Sequence, residues 1–228
     1  MNYNDVLKPR PLILGTAVKY NWKELSPFIN SCKKYIPDAK IVLFVSDIDI
    51  HTIEKLQLEN VEIIIDTFNV YPNFIGWSLA YHQLSLKLSI LIAKFFTGSF
   101  KSNENEPYVN AFASVVIQRF YRYLRFLKIF GKNYSHVILT DTRDVIFQAN
   151  PFPIVGLHVF GEKSEKIGES HFAKRWFQLS YGTKTWKELG KKHLLNVGTT
   201  LGDTKSVIDY LSLVTIEFNR NLTFFWGA

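Results

Sequence analysis

The alternation of periods along the first third of the chain is its strongest architectural constraint. "RPLILGTA" (10–17) reads with the two-residue period of a strand, "WKELSPFINSCKKY" (22–35) with the 3.6-residue period of a helix, and "AKIVLFVSD" (39–47) as a strand again. A short helix near 51–59 and a further apolar strand, "VEIIID" (61–66), continue the series. Strands separated by helices pair in parallel, because each crossover helix returns the chain to the same edge, so the pattern predicts an α/β fold with a mostly parallel central sheet and helices on both faces. Ligands in such sheets sit beyond the carboxyl ends of the strands. Gly15, Thr16, Asp47 and Asp66 therefore become candidates, with capping of the following turns as the alternative for the two acids.

Downstream, residues 74–97 read as mostly helical and "TGSFKSNENEP" (97–107) as a polar, flexible loop. A second long helix is expected over about 109–130, with Ile117, Phe120, Leu124 and Leu127 on one apolar face. Its bases Arg119, Arg122, Arg125 and Lys128 step by three, so each is offset by about 60° from the last and at most two can address one site. The others are expected on an exposed face. Gly131 marks the helix stop, and "HVILT" (136–140), uncharged after His136, is expected as a strand covered on both faces.

That strand runs into Asp141, Arg143 and Asp144. In a tight turn, Cα atoms three residues apart lie within about 7 Å, so the two carboxylates could converge on a hard cation such as Mg²⁺ or Mn²⁺. Arg143 could hold a carboxylate ionised or turn its planar fork to a phosphate; an Asp-Arg bridge that only shapes the strand exit is the other reading.

The surrounding "LTDTRDVIFQANPF" (139–152) resembles the acidic-motif segment of GT-A-fold nucleotide-sugar glycosyltransferases, written D-x-R-D-V-x-F-Q with P-F shortly after. Asp141, Arg143, Asp144, Phe147, Gln148, Pro151 and Phe152 carry the match. "LLNVGTTLGDTKSVIDYL" (194–211) is similar to the family's N-x-G-x-x-x-G strand and following helix, and residues 13–47 to its first βαβ unit. The resemblance implies one Rossmann-like GT-A domain over residues 1–228, transferring a sugar from a nucleotide-diphosphate donor to a glycan, lipid or protein acceptor. Mn²⁺ or Mg²⁺ would assist by offsetting charge on the leaving diphosphate. Aligning the "DV" pair with the family's D-x-D motif puts Asp144 at the last acid and Thr142 at the first. Asp144 is accordingly the first metal-ligand candidate and Asp141 the second, with ribose binding or orientation of Arg143 as Asp141's other roles. The donor-binding set is Thr16, Asp47, Arg122, Asp141, Arg143, Asn196 and Gly198: Arg122 near the diphosphate, Asn196 toward sugar hydroxyls, and Gly198 for close backbone approach.

No catalytic base or nucleophile is assigned. Glu162, Glu165 and Glu169 fall in a polar, solvent-facing stretch, Trp176 and Phe177 read as core, and His158 takes no role. The family usually continues past "NLTFFWGA" with an Asp-Gln pair and a helix, so a shortened acceptor side is expected. A nucleotide-sugar-binding protein without turnover is the second hypothesis.

The formal charge of +7 favours anionic partners. The basic aromatic helix 118–132 makes single-stranded nucleic acid a third hypothesis, although no RNA-binding motif accompanies it and nucleic acid is not the expected partner. The same helix could touch an acidic membrane peripherally. One cysteine, Cys32, excludes an intramolecular disulfide and favours a reducing cytoplasm. The N-terminal apolar run is interrupted by Pro and Gly, unlike a secretory leader, and "LSLKLSILIAKFF" (84–96), with Lys87 and Lys94, falls short of the about 20 apolar residues of a spanning helix.

Overall fold

The computed structural model describes residues 9–68 and 115–220. The predicted helical region 74–97, the loop 97–107 and the terminal "NLTFFWGA" lie outside them. Elements follow in the order β1 (Arg10–Val18), α1 (Trp22–Tyr35), β2 (Lys40–Ser46), α2 (Ile50–Leu58), β3 (Glu62–Ile65), α3 (Val115–Phe130), β4 (Tyr134–Asp141), β5 (Leu157–Lys166), α4 (His171–Leu189), β6 (His193–Asp203) and α5 (Thr204–Arg220).

The six strands form one sheet in the order β3-β2-β1-β4-β6-β5. β3 with β2, β2 with β1 and β1 with β4 are parallel, and β6 runs antiparallel to β4. The chain is thus α/β with a mostly parallel sheet, as the alternating periods require. The sheet grows outward from β1 to β3 and then reverses, placing β4 on the other side of β1. This reversal is the switch point at which a doubly wound sheet opens a crevice beyond its carboxyl ends.

Two compact units divide the described residues: 9–67, 123–160 and 196–210 in the first, and 68, 115–122, 161–195 and 211–220 in the second. In the first unit, one sheet face is built from Ile13, Ala17, Ile41, Leu43, Val45, Ile138 and Leu201, against which Leu25, Phe28, Ile29 and Cys32 of α1 and Leu56 of α2 are packed. Burying each large aliphatic or aromatic side chain there stabilises by roughly 1.5–3 kcal/mol. Local signals agree with this packing. Asn21 and Glu24 form a reciprocal capping box, Asn21 Oδ1 accepting from Glu24 N (3.2 Å) and Glu24 Oε2 from Asn21 N (3.1 Å). Asp49 caps α2 by accepting from Thr52 N and Thr52 Oγ1 at 2.9 and 2.8 Å.

The other face receives α3. Phe44 of β2 meets Tyr123 and Phe126 with ring centroids 5.7 and 6.2 Å apart. Ile117, Phe120, Leu124 and Leu127 are buried as the helical period predicts, but so are Tyr121, Tyr123, Phe126, Arg119 and Arg122. The expectation of an exposed basic face therefore fails at Arg119 and Arg122 and holds at Arg125 and Lys128. The physical reason is that Arg119 and Arg122 occupy buried positions of the helix, whereas Arg125, Lys128 and the end of the helix at Ile129 and Phe130 remain exposed.

In the second unit, Phe120 packs edge-on to Phe218 at 5.6 Å, and Tyr121 OH donates to Asn219 Oδ1 at 2.7 Å. Helix α4 is kinked at Gly182, where φ is +80°. Phe177 packs 6.1 Å from Trp186, a core role as expected.

One strand boundary differs from the sequence expectation: β4 extends through Asp141, because Thr16 of β1 pairs with it. β5 begins at Leu157, just after Gly156 turns the chain at φ +77° and donates its N–H to Asp203 Oδ2 at 3.1 Å. No described helix is long and apolar enough to cross a membrane.

Candidate functional site at the switch point

Thr16 and Asp141 are register partners on adjacent parallel strands, so their side chains leave the same face of the sheet at its carboxyl end. Thr16 Oγ1 lies 2.8 Å from Tyr123 OH, a bond that ties β1 to α3. The next residue of the motif, Thr142, is buried and donates from Oγ1 to the Thr16 carbonyl at 2.9 Å. Its methyl group fills the space a side chain on Gly15 would need, so Gly15 serves packing between β1 and the motif.

On the far side of β4, the pairing of Thr140 with Thr199 brings the first half of β6 to the same end of the sheet. A β-carbon on Gly198 would lie 2.6 Å from Asp141 Oδ2 and 2.9 Å from Asn196 Oδ1. The absence of a side chain at Gly198 is what admits the Asp141 carboxylate. Asn196 Oδ1 accepts the Gly198 N–H at 2.6 Å, which turns the amide plane back onto its own strand. Thr16, Asp141 and the Asn196–Gly198 pair, three segments far apart in sequence, are therefore one cluster.

The two acids of the motif are not equivalent. Asp141 is half-buried and belongs to the strand, whereas Asp144 lies three residues on in an exposed bend. Phe147 and Phe152 anchor the rest of the motif: Phe147 N donates to Ser31 Oγ at 3.1 Å, its ring is 6.2 Å from Phe28, and Phe152 packs 5.3 Å from His136. The aromatic end of the motif thus secures the loop against the core.

Arg143 points to α1. Its Nε lies 3.4 Å from Glu24 Oε1, and its guanidinium sits 5.7 Å from the Tyr20 ring centroid. Asp47 is exposed at the end of β2 with φ +53°, a left-handed conformation that Asp tolerates better than most residues. Helix capping is performed by Asp49 instead, so Asp47 is not spent on that task. Asp66 sends its N–H to the Val45 carbonyl and places Oδ2 4.0 Å from Arg125. Arg122, in the second unit, is 2% exposed, stacks 4.1 Å over Phe68 and donates to the Gln118 carbonyl at 3.3 Å. His158 bonds the Val155 carbonyl at 3.0 Å, a local structural contact.

Asp141 and Asp144 are hard oxygen donors. Among the described residues no group of three or more His, Cys, Asp or Glu is placed to hold a metal ion. Two carboxylates fit a Mg²⁺ or Mn²⁺ that completes its shell with water and phosphate oxygens, and do not fit an all-protein cage.

Three residues at this end escaped sequence reasoning: Tyr123, Tyr20 and Glu24. Thr142 aligns with the first acid of the D-x-D motif, but its bond to the Thr16 carbonyl was not legible in the sequence. Glu24 was legible as the last residue of an N-x-x-E capping box, but its second contact depends on tertiary structure.

No protein-family profile matches the chain, and neither does any curated protein. Among solved structures, core-mannan synthase A of Aspergillus fumigatus, in a Mn/GDP form, is similar at 9% identity with a TM-score of 0.42, covering 100% of this chain and 68% of that one.

Proposed function

We propose that the chain is a glycosyltransferase domain of GT-A type that binds a nucleotide-diphosphate sugar and transfers the sugar to a glycan, lipid or protein acceptor. The supporting observation is the meeting of Thr16, Asp141, Asn196 and Gly198 at the strand-order reversal. That end of an α/β sheet is where ligands bind.

In this reading Asp144 and Asp141 hold Mn²⁺ or Mg²⁺, and the bound cation offsets charge on the leaving diphosphate. Arg143 adds a planar, permanently charged donor beside the same turn. Asn196, whose amide oxygen accepts the Gly198 N–H, stands at the sugar side of the site. Asp47 approaches the nucleoside from the end of β2. The chain acts as one domain in the cytoplasm, with peripheral membrane contact where the acceptor is a lipid.

A thermal-shift panel of UDP, GDP, CDP and dTDP sugars, with and without Mn²⁺, tests the reading, since a ligand of the native state raises apparent stability. At least one donor should raise Tm, more with Mn²⁺, and Asp144→Ala should abolish the metal increment. No shift with any donor defeats the reading. A shift without donor hydrolysis or transfer would assign the protein to nucleotide-sugar binding alone.

A further inference from the structure

Arg143 lies between the two acids of the motif, yet its described partners are Glu24 in the first turn of α1 and Tyr20 just before that helix. Both are held by contacts that do not involve Arg143. Tyr20 is half-buried against the core of the first unit. Glu24 is fixed by the capping box, its Oε2 accepting the Asn21 N–H at 3.1 Å. Its second oxygen, Oε1, is the one that faces Arg143 Nε at 3.4 Å. The carboxylate is thus divided between two tasks, one local and one tertiary.

The guanidinium is engaged at Nε and stacked over Tyr20, and among the described residues nothing takes its NH1–NH2 edge. That edge is the part of the fork that can bind two oxygens of one phosphate. An exposed arginine loses considerable rotamer freedom when it binds, and one already held at Nε and over an aromatic face loses less.

We propose that Glu24 and Tyr20 are positioning residues that present the NH1–NH2 edge of Arg143 to the diphosphate of the nucleotide donor. The proposal rests on the nucleotide-sugar reading above. Glu24 also partly neutralises Arg143. Orientation outweighs that neutralisation, so removing the Glu24 charge weakens diphosphate binding rather than strengthening it.

Capping and positioning can be separated. Glu24→Gln retains a side-chain acceptor for the Asn21 N–H, since Gln serves in capping boxes, and loses only the charge facing Arg143. Asn21→Ala does the reverse. The experiment is calorimetric titration of UDP, GDP, CDP and dTDP, each beside its monophosphate, into wild type, Glu24→Gln, Tyr20→Leu, Arg143→Lys and Asn21→Ala, with Tm recorded for each. Glu24→Gln should raise the diphosphate Kd by about tenfold, the lower end of what removing an orienting partner costs at metal ligands. The preference for diphosphate over monophosphate should shrink, at unchanged Tm. Tyr20→Leu and Arg143→Lys should shrink the preference similarly, whereas Asn21→Ala should lower Tm and leave the preference intact. Unchanged or tighter diphosphate binding in Glu24→Gln would overturn the positioning role alone. A wild type that binds none of the four diphosphates would overturn the nucleotide reading, and this proposal with it.

Discussion

Asp141 occupies the space that a side chain on Gly198 would fill: a β-carbon there would stand 2.6 Å from the Asp141 Oδ2 and 3.4 Å from its Cγ. Since 2.6 Å is well inside van der Waals contact, Gly198→Ala must move the carboxylate. The carboxylate is a side-chain terminus rather than backbone, so the fold should survive with a loss of about 1–3 kcal/mol, the usual range for overpacking. Donor-induced thermal shifts should disappear while urea unfolding remains cooperative. A variant that keeps the full donor shift would separate Asp141 from the site.

The hydroxyl pair of Thr16 and Tyr123, 2.8 Å apart, ties β1 to α3 beside the same cluster. Tyr123→Phe keeps the ring against Phe44 and removes the hydroxyl that bonds Thr16, so it should lower unfolding free energy by about 0.5–1.5 kcal/mol. Thr16→Val combined with Tyr123→Phe should cost less than the sum of the two single changes, because each alone leaves a polar partner behind. Urea denaturation of the four proteins in the cycle measures this coupling.

Asp203 accepts from Ser206 N at 2.9 Å, Ser206 Oγ at 2.7 Å and Gly156 N at 3.1 Å, joining the start of α5 to the turn before β5. The Ser206 backbone and side-chain bonds, with a smaller contribution from Gly156, hold its carboxyl below the usual 3.8. The bonds favour the charged form in the folded state. Their stabilisation is therefore present above the unfolded value and is lost as pH falls through the lower folded one. Asp203→Asn should reduce stability at pH 7 and flatten its decline below about pH 4. An identical acid limb in variant and wild type would show that Asp203 does not contribute. Asp49, lowered mainly by its backbone bond to Thr52, acts in the same direction at α2.

Cys32 is buried in the α1 face of the core, and desolvation pushes its thiol up to about 12. The thiolate is the reactive form, so a thiol reagent should modify native protein at about pH 8 only through unfolding and should react at once in guanidinium. Fast stoichiometric labelling of the native state would contradict that burial.

Much of the first unit was legible from sequence because its signals are local and agree with one another. Asn21 followed by Glu24, the apolar spacing of α1 and the uncharged run before Asp141 each specify an element without reference to distant residues. The candidate site was legible in part. Thr16 follows from its place at a strand end, and Asp141, Asn196 and Gly198 from the motif pattern. The direction of Arg143 was not legible, because it is set by Glu24 and Tyr20 on an element more than a hundred residues earlier.

Helix α3 marks the same boundary from the other side. Its sequence determines that it is helical and that Ile117, Phe120, Leu124 and Leu127 share a face, since periodicity is a property of neighbours along the chain. Whether Arg119 and Arg122 face solvent was decided by what surrounds the helix, and both are buried. The two acids of the motif divide in the same way. The sequence by itself determined that Asp141 and Asp144 follow a buried strand. Only the tertiary structure decided that Asp141 belongs to the ladder, paired with Thr16 and admitted by Gly198, while Asp144 lies in an exposed bend. The reason is that register and side-chain clearance are relations between strands, and residues adjacent in sequence do not carry them.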